Sequence, residues 1–167
     1  MLRVKWDNEL AAVAQRWAEQ CLFAHDQSRD VERFPVGQNL YETTRPKDSA
    51  LTAMIREAVM GLTGWYSEVM SFNPAGIDRY QFSPTTGHYT QLVWAKTNRI
   101  GCGHISYDMS GSVKKLLVCN YGPSGNFVGQ RMYTRAPPCS QCDVDEVCGL
   151  QQEVGLCGKS RIIFDPN

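Results

Sequence analysis

The stretch "RIGCGHISYDMSGSVKKLLVCNYG", residues 99–122, sets the fold because it contains two strand-like runs joined by a turn signal. The runs "RIGCGHISY" and "KLLVCNYG" flank "DMSGSV", whose Ser-Gly pair is typical of a hairpin turn. A two-residue loop at Ser110 and Gly111 sets Cys102 opposite Cys119, close enough for a disulfide. We predict a Cys102–Cys119 bridge, with two buried free thiols as the alternative.

Helical periodicity dominates the chain before this hairpin. Apolar residues recur at helical spacing over residues 7–24, and Asp7 can accept a free backbone N–H as the N-cap. Residues 48–70 are predicted to form a second helix capped by Asp48 or Ser49. Its predicted buried stripe is Leu51, Ile55, Ala58, Val59, Leu62, Trp65 and Val69. The remaining predictions are an irregular segment over 26–48, a loop over 71–87 and a short helix over 88–95.

Two glycines interrupt the second predicted helix. Gly61 and Gly64 each cost up to about 1 kcal/mol relative to Ala inside a helix. We expect a bend or a close packing contact at these positions.

Composition excludes two broad classes of protein. Lys and Arg total 17, as do Asp and Glu, and no basic stripe interleaves with aromatic residues as in nucleic-acid binders. No run approaches the roughly 20 apolar residues of a transmembrane helix. The sequence therefore predicts neither a nucleic-acid partner nor a membrane span.

Cysteine usage points to an oxidising compartment. The chain has seven cysteines, four of them between residues 139 and 157, a density typical of secreted disulfide-bonded proteins. The opening "MLRVKWDNEL" is too charged for a signal peptide, so we expect a secreted parent whose true N-terminus is missing here. A cytosolic protein with free thiols is the alternative.

The last segment, "RAPPCSQCDVDEVCGLQQEVGLCGK", starts at a Pro-Pro linker. Its Cys-x2-Cys is not matched by a second such pair, which argues against a zinc knuckle. We predict two local disulfides among Cys139, Cys142, Cys148 and Cys157. Their spacing does not fix the connectivity, and Cys139–Cys148 with Cys142–Cys157 is the pairing that we choose among the alternatives. The seventh cysteine, Cys21, is then left without a partner.

Several quoted motifs resemble one family. "GHYTQLVWAKTNRIGCG" and "LLVCNYGPSGNFVGQRMY" are similar to the two signatures of the CAP superfamily, and "WDNELAAVAQRWAEQCLFAHD" and "GQNL" to its earlier motifs. This superfamily comprises cysteine-rich secretory proteins, antigen 5 venom allergens and plant pathogenesis-related proteins, and the chain is most similar to arthropod venom-allergen-like members.

The resemblance implies an α+β fold, a three-layer α-β-α sandwich with a central antiparallel sheet. It divides the chain into a CAP (SCP-like) domain over 1–135 that lacks the family's first helix, and a hinge-like Cys-rich tail over 136–167. A missing helix would leave apolar sheet or helix surface uncovered.

The resemblance also carries four cleft positions onto this chain: His25 in "CLFAH", Gln38 in "GQNL", Glu68 in "WYSE" and His88 in "GHYT". The family has two His and two Glu here, so Gln38 replaces one Glu. His25 and His88 are implied ligands for Zn²⁺ or another divalent cation, with no cofactor required. Glu68 is either a third ligand or a group that orients a histidine or a bound water.

Three readings of this cleft remain open from sequence. A metal-dependent hydrolase would use Glu68 as general base and a metal on His25 and His88 as Lewis acid. Weak metal binding without turnover is the second reading. The third is a polar, hydrogen-bonded cleft inherited with the fold.

The aromatic residues of the 71–87 loop suggest a separate binding role. Phe72, Tyr80 and Phe82 either line a pocket for a sterol or fatty acid, as the resemblance implies, or pin the loop to the core. The overall expectation is a secreted, non-enzymatic binding protein for a lipid or an extracellular protein target.

Overall fold

The computed structural model describes residues 1–46, 53–144, 146–149 and 155–159. The predictions for Asp48, Ser49 and Leu51, and for the side chain of Ile55, lie outside the described residues. In chain order the elements are β1 (Lys5–Trp6), α1 (Asn8–Ala18), β2 (Gly37–Pro46), α2 (Ala53–Ser67), two 3₁₀ turns (Glu68–Ser71 and Pro74–Ile77), α3 (Gly87–Leu92), β3 (Arg99–Met109), β4 (Ser112–Gly122), β5 (Glu146–Cys148) and β6 (Cys157–Lys159).

The predicted hairpin is confirmed as β3 and β4. Its loop is Ser110 and Gly111, with φ of 47° and 84°, the positive values that a tight hairpin turn of this hand needs. This loop sets Cys102 opposite Cys119, and the two form a disulfide.

The central sheet has four strands in the order β1-β3-β4-β2. Strands β2, β3 and β4 are antiparallel, as the resemblance implies, but β1 pairs with β3 in parallel. The sheet is therefore mixed rather than purely antiparallel, while the α+β class and the helices on both sides of the sheet are confirmed.

Strand β4 is covered on both faces. Leu116 and Val118 pack with Ala14 and Ala18 of α1, whereas Leu117, Cys119 and Tyr121 pack toward Trp65 of α2. Since alternate residues of a strand point to opposite faces, one strand supplies the centre of both cores. This two-sided burial produces the three-layer sandwich.

Helix α1 lies directly on β3 at two glycines. A Cβ at Gly101 would come within 2.1 Å of the Ala11 nitrogen, and one at Gly103 within 2.3 Å of the Gln15 Cα. Only glycine permits backbones to approach this closely.

The first helix is shorter than the predicted 7–24. Helix α1 ends at Ala18, and the chain then tightens through the bonds Gln20 N to Trp17 O and Cys21 N to Ala18 O. Cys21 has a positive φ of 56°, which ends the helical path. The apolar residues Leu22 and Phe23 do not continue the buried face of the helix, since both are exposed. The prediction of a helix that extends to residue 24 is therefore too long.

The face of the second helix that packs against the sheet differs from the predicted one. Ala58, Gly61 and Trp65 face the sheet, and Gly61 approaches Leu117 and Tyr41 closely. The predicted burial of Val59 and Leu62 is wrong, since they are 57% and 40% exposed. Gly64 meets nothing within 4 Å, so only Gly61 makes the expected close contact.

The irregular segment predicted over 26–48 contains the ten-residue strand β2. Its sequence, "GQNLYETTRP", lacks strict alternation because Gly37, Gln38, Asn39 and Leu40 are all buried. Pairing with β4 along its whole length overrides the weak strand propensity of its Gly, Asn and Pro residues.

The tail forms the predicted Cys139–Cys148 and Cys142–Cys157 disulfides, and among the described residues Cys21 is the free cysteine. Strands β5 and β6 pair with each other. Residues 1–3 then join the tail to the sandwich, through Arg3 N to Cys157 O (2.7 Å) and Cys157 N to Met1 O (2.8 Å). In the described part of the chain, no helix is long and apolar enough to cross a membrane.

Asp7 is a buried electrostatic junction between α1, β3 and the loop after α1. It caps α1 through Leu10 N (3.1 Å) and accepts hydrogen bonds from Arg33 (2.9 and 3.0 Å) and Arg99 (3.2 Å). The hydrogen bond from Arg33 is the main cause that lowers the pKa of Asp7 from 3.8 to about 2, against the opposing effect of burial.

This junction predicts a pH-dependent stability. The lowered folded-state pKa of Asp7 stabilises the fold above about pH 4, and this contribution disappears as pH falls toward 2. Asp7→Asn keeps the N-cap but removes the charge, so it should lower the free energy of unfolding by about 2 kcal/mol at pH 7. Urea unfolding between pH 2 and 7 measures this, with exposed Glu32→Gln as control; a deficit independent of pH would contradict the assignment.

Candidate functional site

His88 and Glu68 form a tightly held pair. Glu68 Oε1 lies 2.6 Å from His88 Nδ1, while Oε2 accepts from the backbone N–H groups of His88 and Tyr89 at 3.0 Å each. The N-cap residue of α3, Thr86, makes no side-chain capping bond. Glu68 therefore caps α3 from outside the helix and fixes the position of its histidine.

The ring of His88 rests against an aromatic wall. Trp65 stacks on it with ring centres 6.0 Å apart and planes inclined by 16°. Trp65 is itself buried and donates from Nε1 to Leu40 O at 3.1 Å, so the wall is fixed to β2. The His88 side chain keeps 34% of its surface exposed and stays reachable from solvent.

His25 is held by Gln38. Gln38 Oε1 lies 3.0 Å from His25 Nδ1 and also accepts from Asp26 N at 3.1 Å. Gln38 Nε2 donates to Asn120 Oδ1 at 2.9 Å, which fixes the direction of its amide. Since an amide oxygen only accepts, Nδ1 of His25 carries the proton and Nε2 is left as the acceptor.

The two histidine pairs are connected through neighbouring residues of β2. Gln38 holds His25, and the next residue, Asn39, donates from Nδ2 to the His88 carbonyl oxygen at 3.2 Å. The His25–Gln38–Asn120 group and the His88–Glu68–Asn39 group therefore meet at adjacent residues of β2. The sequence analysis did not assign Asn39, Trp65 and Asn120 to the site.

Among the described residues, the His25 and His88 pairs do not form a preassembled group of three metal ligands. Within the described ranges, one group of three His, Cys, Asp or Glu ligand atoms lies mutually within 4.8 Å, and it is in the tail. Both oxygens of Glu68 already accept hydrogen bonds. The geometry favours Glu68 as the group that orients His88 rather than as a third ligand.

The buried tyrosines beside the site are poor acid–base groups at neutral pH. Burial raises the pKa of Tyr121, whose hydroxyl accepts from Asn39 Nδ2 at 3.3 Å. Burial also raises the pKa of Tyr89, with smaller contributions from Tyr133 and Tyr66. These hydroxyls remain neutral and act as hydrogen-bonding and packing groups.

The three aromatic residues of the 71–87 loop have different environments. Tyr80 is 1% exposed and packs with Trp94 and Met132, and Phe72 lies against this cluster. Phe82 is 63% exposed. Tyr80 and Phe72 therefore pin the loop to the core, and Phe82 is the member of the trio open to a ligand.

Comparison with known proteins identifies the family to which this fold belongs. The model of the cysteine-rich secretory protein family, CAP, matches residues 1–121. The chain belongs to the CAP family. The predicted domain division at residues 135 and 136 stays a prediction.

Venom proteins are among the relatives of this CAP chain. It is 44% identical over 130 residues to venom allergen 5 of Microctonus hyperodae, covering 78% of this chain and 55% of that protein. It is 42% identical over 155 residues to CRISP/Allergen/PR-1 of Trittame loki, covering 89% of this chain and 37% of that protein. The chain thus spans roughly a third to a half of these relatives.

Solved structures share the fold. The crystal structure of Na-ASP-1 superposes with a TM-score of 0.73 at 29% identity, covering 95% of this chain and 38% of that one. The crystal structure of NaASP2 with Zn²⁺ gives 0.69 at 28% identity, covering 94% and 77%.

The capping role of Glu68 can be measured through stability. Glu68→Ala leaves the N–H groups of His88 and Tyr89 without their acceptor, so it should lower the free energy of unfolding by about 2 kcal/mol. Glu68→Gln retains one acceptor oxygen and should cost about half as much. Chemical unfolding compares both with Glu19→Ala, an exposed glutamate of α1's C-terminal end; a Glu68→Ala protein as stable as wild type would refute the capping role.

Proposed function

We propose that this CAP chain is an extracellular, non-enzymatic binding protein whose His25–His88 cleft takes a divalent metal ion of the Zn²⁺ class. The observation that carries the proposal is the matched anchoring of both imidazoles at Nδ1, by Gln38 at 3.0 Å and Glu68 at 2.6 Å. Metal-ligating histidines in proteins are typically held in this way through the nitrogen that does not bind the metal.

The residues fit zinc chemically. Neutral imidazole nitrogen is a common Zn²⁺ ligand, and an acceptor at Nδ1 leaves Nε2 with its lone pair. The related CAP protein NaASP2 has a crystal structure with Zn²⁺, which supports the same metal class here. Two histidines are fewer ligands than a catalytic zinc usually has, so we expect weak binding completed by water.

The alternative, a metal-dependent hydrolase, fits the geometry less well. A general base needs a carboxylate oxygen free to take a proton from water, yet Glu68 uses Oε1 for His88 and Oε2 for two backbone amides. Gln38 occupies the position of the family's other Glu and cannot act as an anionic base. We therefore propose binding without turnover.

An extracellular location agrees with the covalent structure and with the relatives. Three disulfides stabilise the described chain, and such bonds persist in oxidising compartments. The relatives carry the names of venom proteins. We propose that the parent protein is secreted.

An apolar ligand or protein target is favoured by exposed side chains along α2. Val59, Leu62 and Tyr66 are spaced by three and four residues on one helix face, and each is at least 40% exposed. Phe82 adds a further exposed aromatic ring. These groups support binding of a sterol, a fatty acid or an apolar protein surface.

Zinc titration by calorimetry tests the metal proposal. Refolded, disulfide-bonded wild type should bind about one ion per chain, and His25→Ala and His88→Ala should each weaken binding at least about tenfold. His104→Ala, at a half-buried histidine of β3, serves as the matched control and should bind like wild type. No saturable heat in wild type, or equal binding by all variants, would reject the proposal.

Displacement of a fluorescent sterol or fatty acid tests the apolar ligand. Phe82→Ser should weaken binding about tenfold, the effect of losing roughly 1.4 kcal/mol of apolar contact. Met109→Ser replaces another exposed apolar residue, on the β3–β4 hairpin, and should leave affinity unchanged. Saturable binding that is insensitive to Phe82 would exclude this loop as the ligand contact.

A further inference from the structure

A small cavity lies where the first residues of the chain, the edge of the central sheet and the tail meet. Its volume is about 140 Å³, and its described lining includes three cations, Arg3, Lys5 and Arg99, and one carboxylate, Glu146. We propose that this cavity binds a tetrahedral oxyanion, a sulfate or phosphate group, and that the bound anion ties the tail to the sandwich.

Strand pairing brings the cations together. Lys5 lies directly beside Arg99 in the parallel pairing of β1 with β3. Side chains of directly paired residues point to the same face of a sheet, so these two cations share one face at its edge. Arg3, two positions before Lys5, lines the same cavity, and its backbone N–H donates to Cys157 O at 2.7 Å.

A glycine of β6 makes room for the Arg3 side chain. A Cβ at Gly158 would come within 2.7 Å of both Nε and Nη2 of Arg3. The guanidinium therefore lies directly on the backbone of the tail, and the tail forms one wall of the cavity. An anion in this cavity contacts groups from the sandwich and from the tail at once.

The charge of the lining favours an anion. Three cations and one carboxylate give the described lining a formal charge of +2. Lys5 forms no ion pair within the described part of the chain. Arg99 donates from Nη1 to Asp7 at 3.2 Å, and a guanidinium has five N–H donors in all. Glu146 Oε2 accepts from Asp143 N at 3.2 Å and so belongs to its own turn. An anion between the cations relieves their mutual repulsion.

The size of the cavity and its donors suit a tetrahedral oxyanion. At about 30 Å³ per water molecule in the liquid, the cavity has room for one such group with a few waters. The planar fork of an arginine binds two oxygens of a phosphate group, and sulfate has the same shape. Asn98 adds a neutral amide to the lining.

A bound anion stabilises the docked tail. Backbone hydrogen bonds join residues 1–3 to Cys157, and the anion adds an ionic link at the same junction. A ligand that binds only the docked arrangement shifts the equilibrium toward it as the site fills. The cavity is separate from the histidine cleft, so this proposal does not rest on metal binding there.

An NMR titration with sodium sulfate and, separately, sodium phosphate tests the site. Refolded, disulfide-bonded protein is titrated at constant ionic strength in chloride, with EDTA present to keep the histidine cleft free of metal. We expect saturable shifts of the Arg3, Arg99 and Gly158 amides with one common Kd of about 1 mM or tighter. A heparin-derived disaccharide distinguishes the sources, since competition with sulfate assigns the site to a sulfated sugar and no competition assigns it to the free ion.

Charge variants give opposite expectations. Lys5→Gln retains the backbone bond from Lys5 N to Asn98 O and should weaken sulfate binding at least about tenfold, whereas Lys5→Arg should stay within about threefold of wild type. Glu146→Gln removes the carboxylate and should strengthen binding at least about threefold. Exposed Lys96→Gln removes a charge that does not line the cavity and is the matched control.

Hydrogen exchange at the Cys157 N–H reports on the tail. Saturating sulfate should slow this exchange in wild type but not in Lys5→Gln, whereas a general salt effect of sulfate would slow it equally in both. Absence of saturable binding of either ion, wild-type affinity in Lys5→Gln, no gain of affinity in Glu146→Gln, or equal slowing of exchange in both proteins would each overturn the proposal.

Discussion

The direct contact between the backbone of α1 and that of β3 is the constraint on which the rest of the structure depends. Gly101 and Gly103 leave no room for a side chain between the two elements, so the helix lies at one fixed depth and direction. That placement puts Asp7 at the junction with Arg33 and Arg99, where its charge is satisfied.

From this fixed layer, the site is assembled by strand residues on one side and by helical residues on the other. Asn120 of β4 holds Gln38, and Gln38 holds His25. On the other side, Trp65 and Glu68 hold His88 from the end of α2. Each imidazole thus has a rigid support from a different layer of the sandwich, and β2 joins the two supports. The cleft is a product of the three-layer architecture as much as of its own residues.

The sequence predicted those features of the fold that local sequence patterns determine. The hairpin register and the Cys102–Cys119 disulfide followed from turn chemistry, whereas the spacing of the four tail cysteines left their pairing open. The family motifs supplied the four cleft positions, whose role stays a prediction. The prediction from sequence failed where tertiary packing outweighs the local sequence pattern. Strand β2 has no alternation because four successive residues are buried, and α2 turns Gly61 rather than Val59 toward the sheet because the backbone can approach there. The supports Asn39 and Asn120 lie 81 positions apart, a separation that no periodicity reveals.

The pairing of Met1 and Arg3 with Cys157 has a consequence for the order of folding. It joins segments separated by more than 150 positions, so it cannot form until almost the whole described chain has been synthesised. Local contacts such as the β3–β4 hairpin close much shorter loops at lower entropic cost. On this ground we expect the β3–β4 hairpin to form before the tail docks onto residues 1–3.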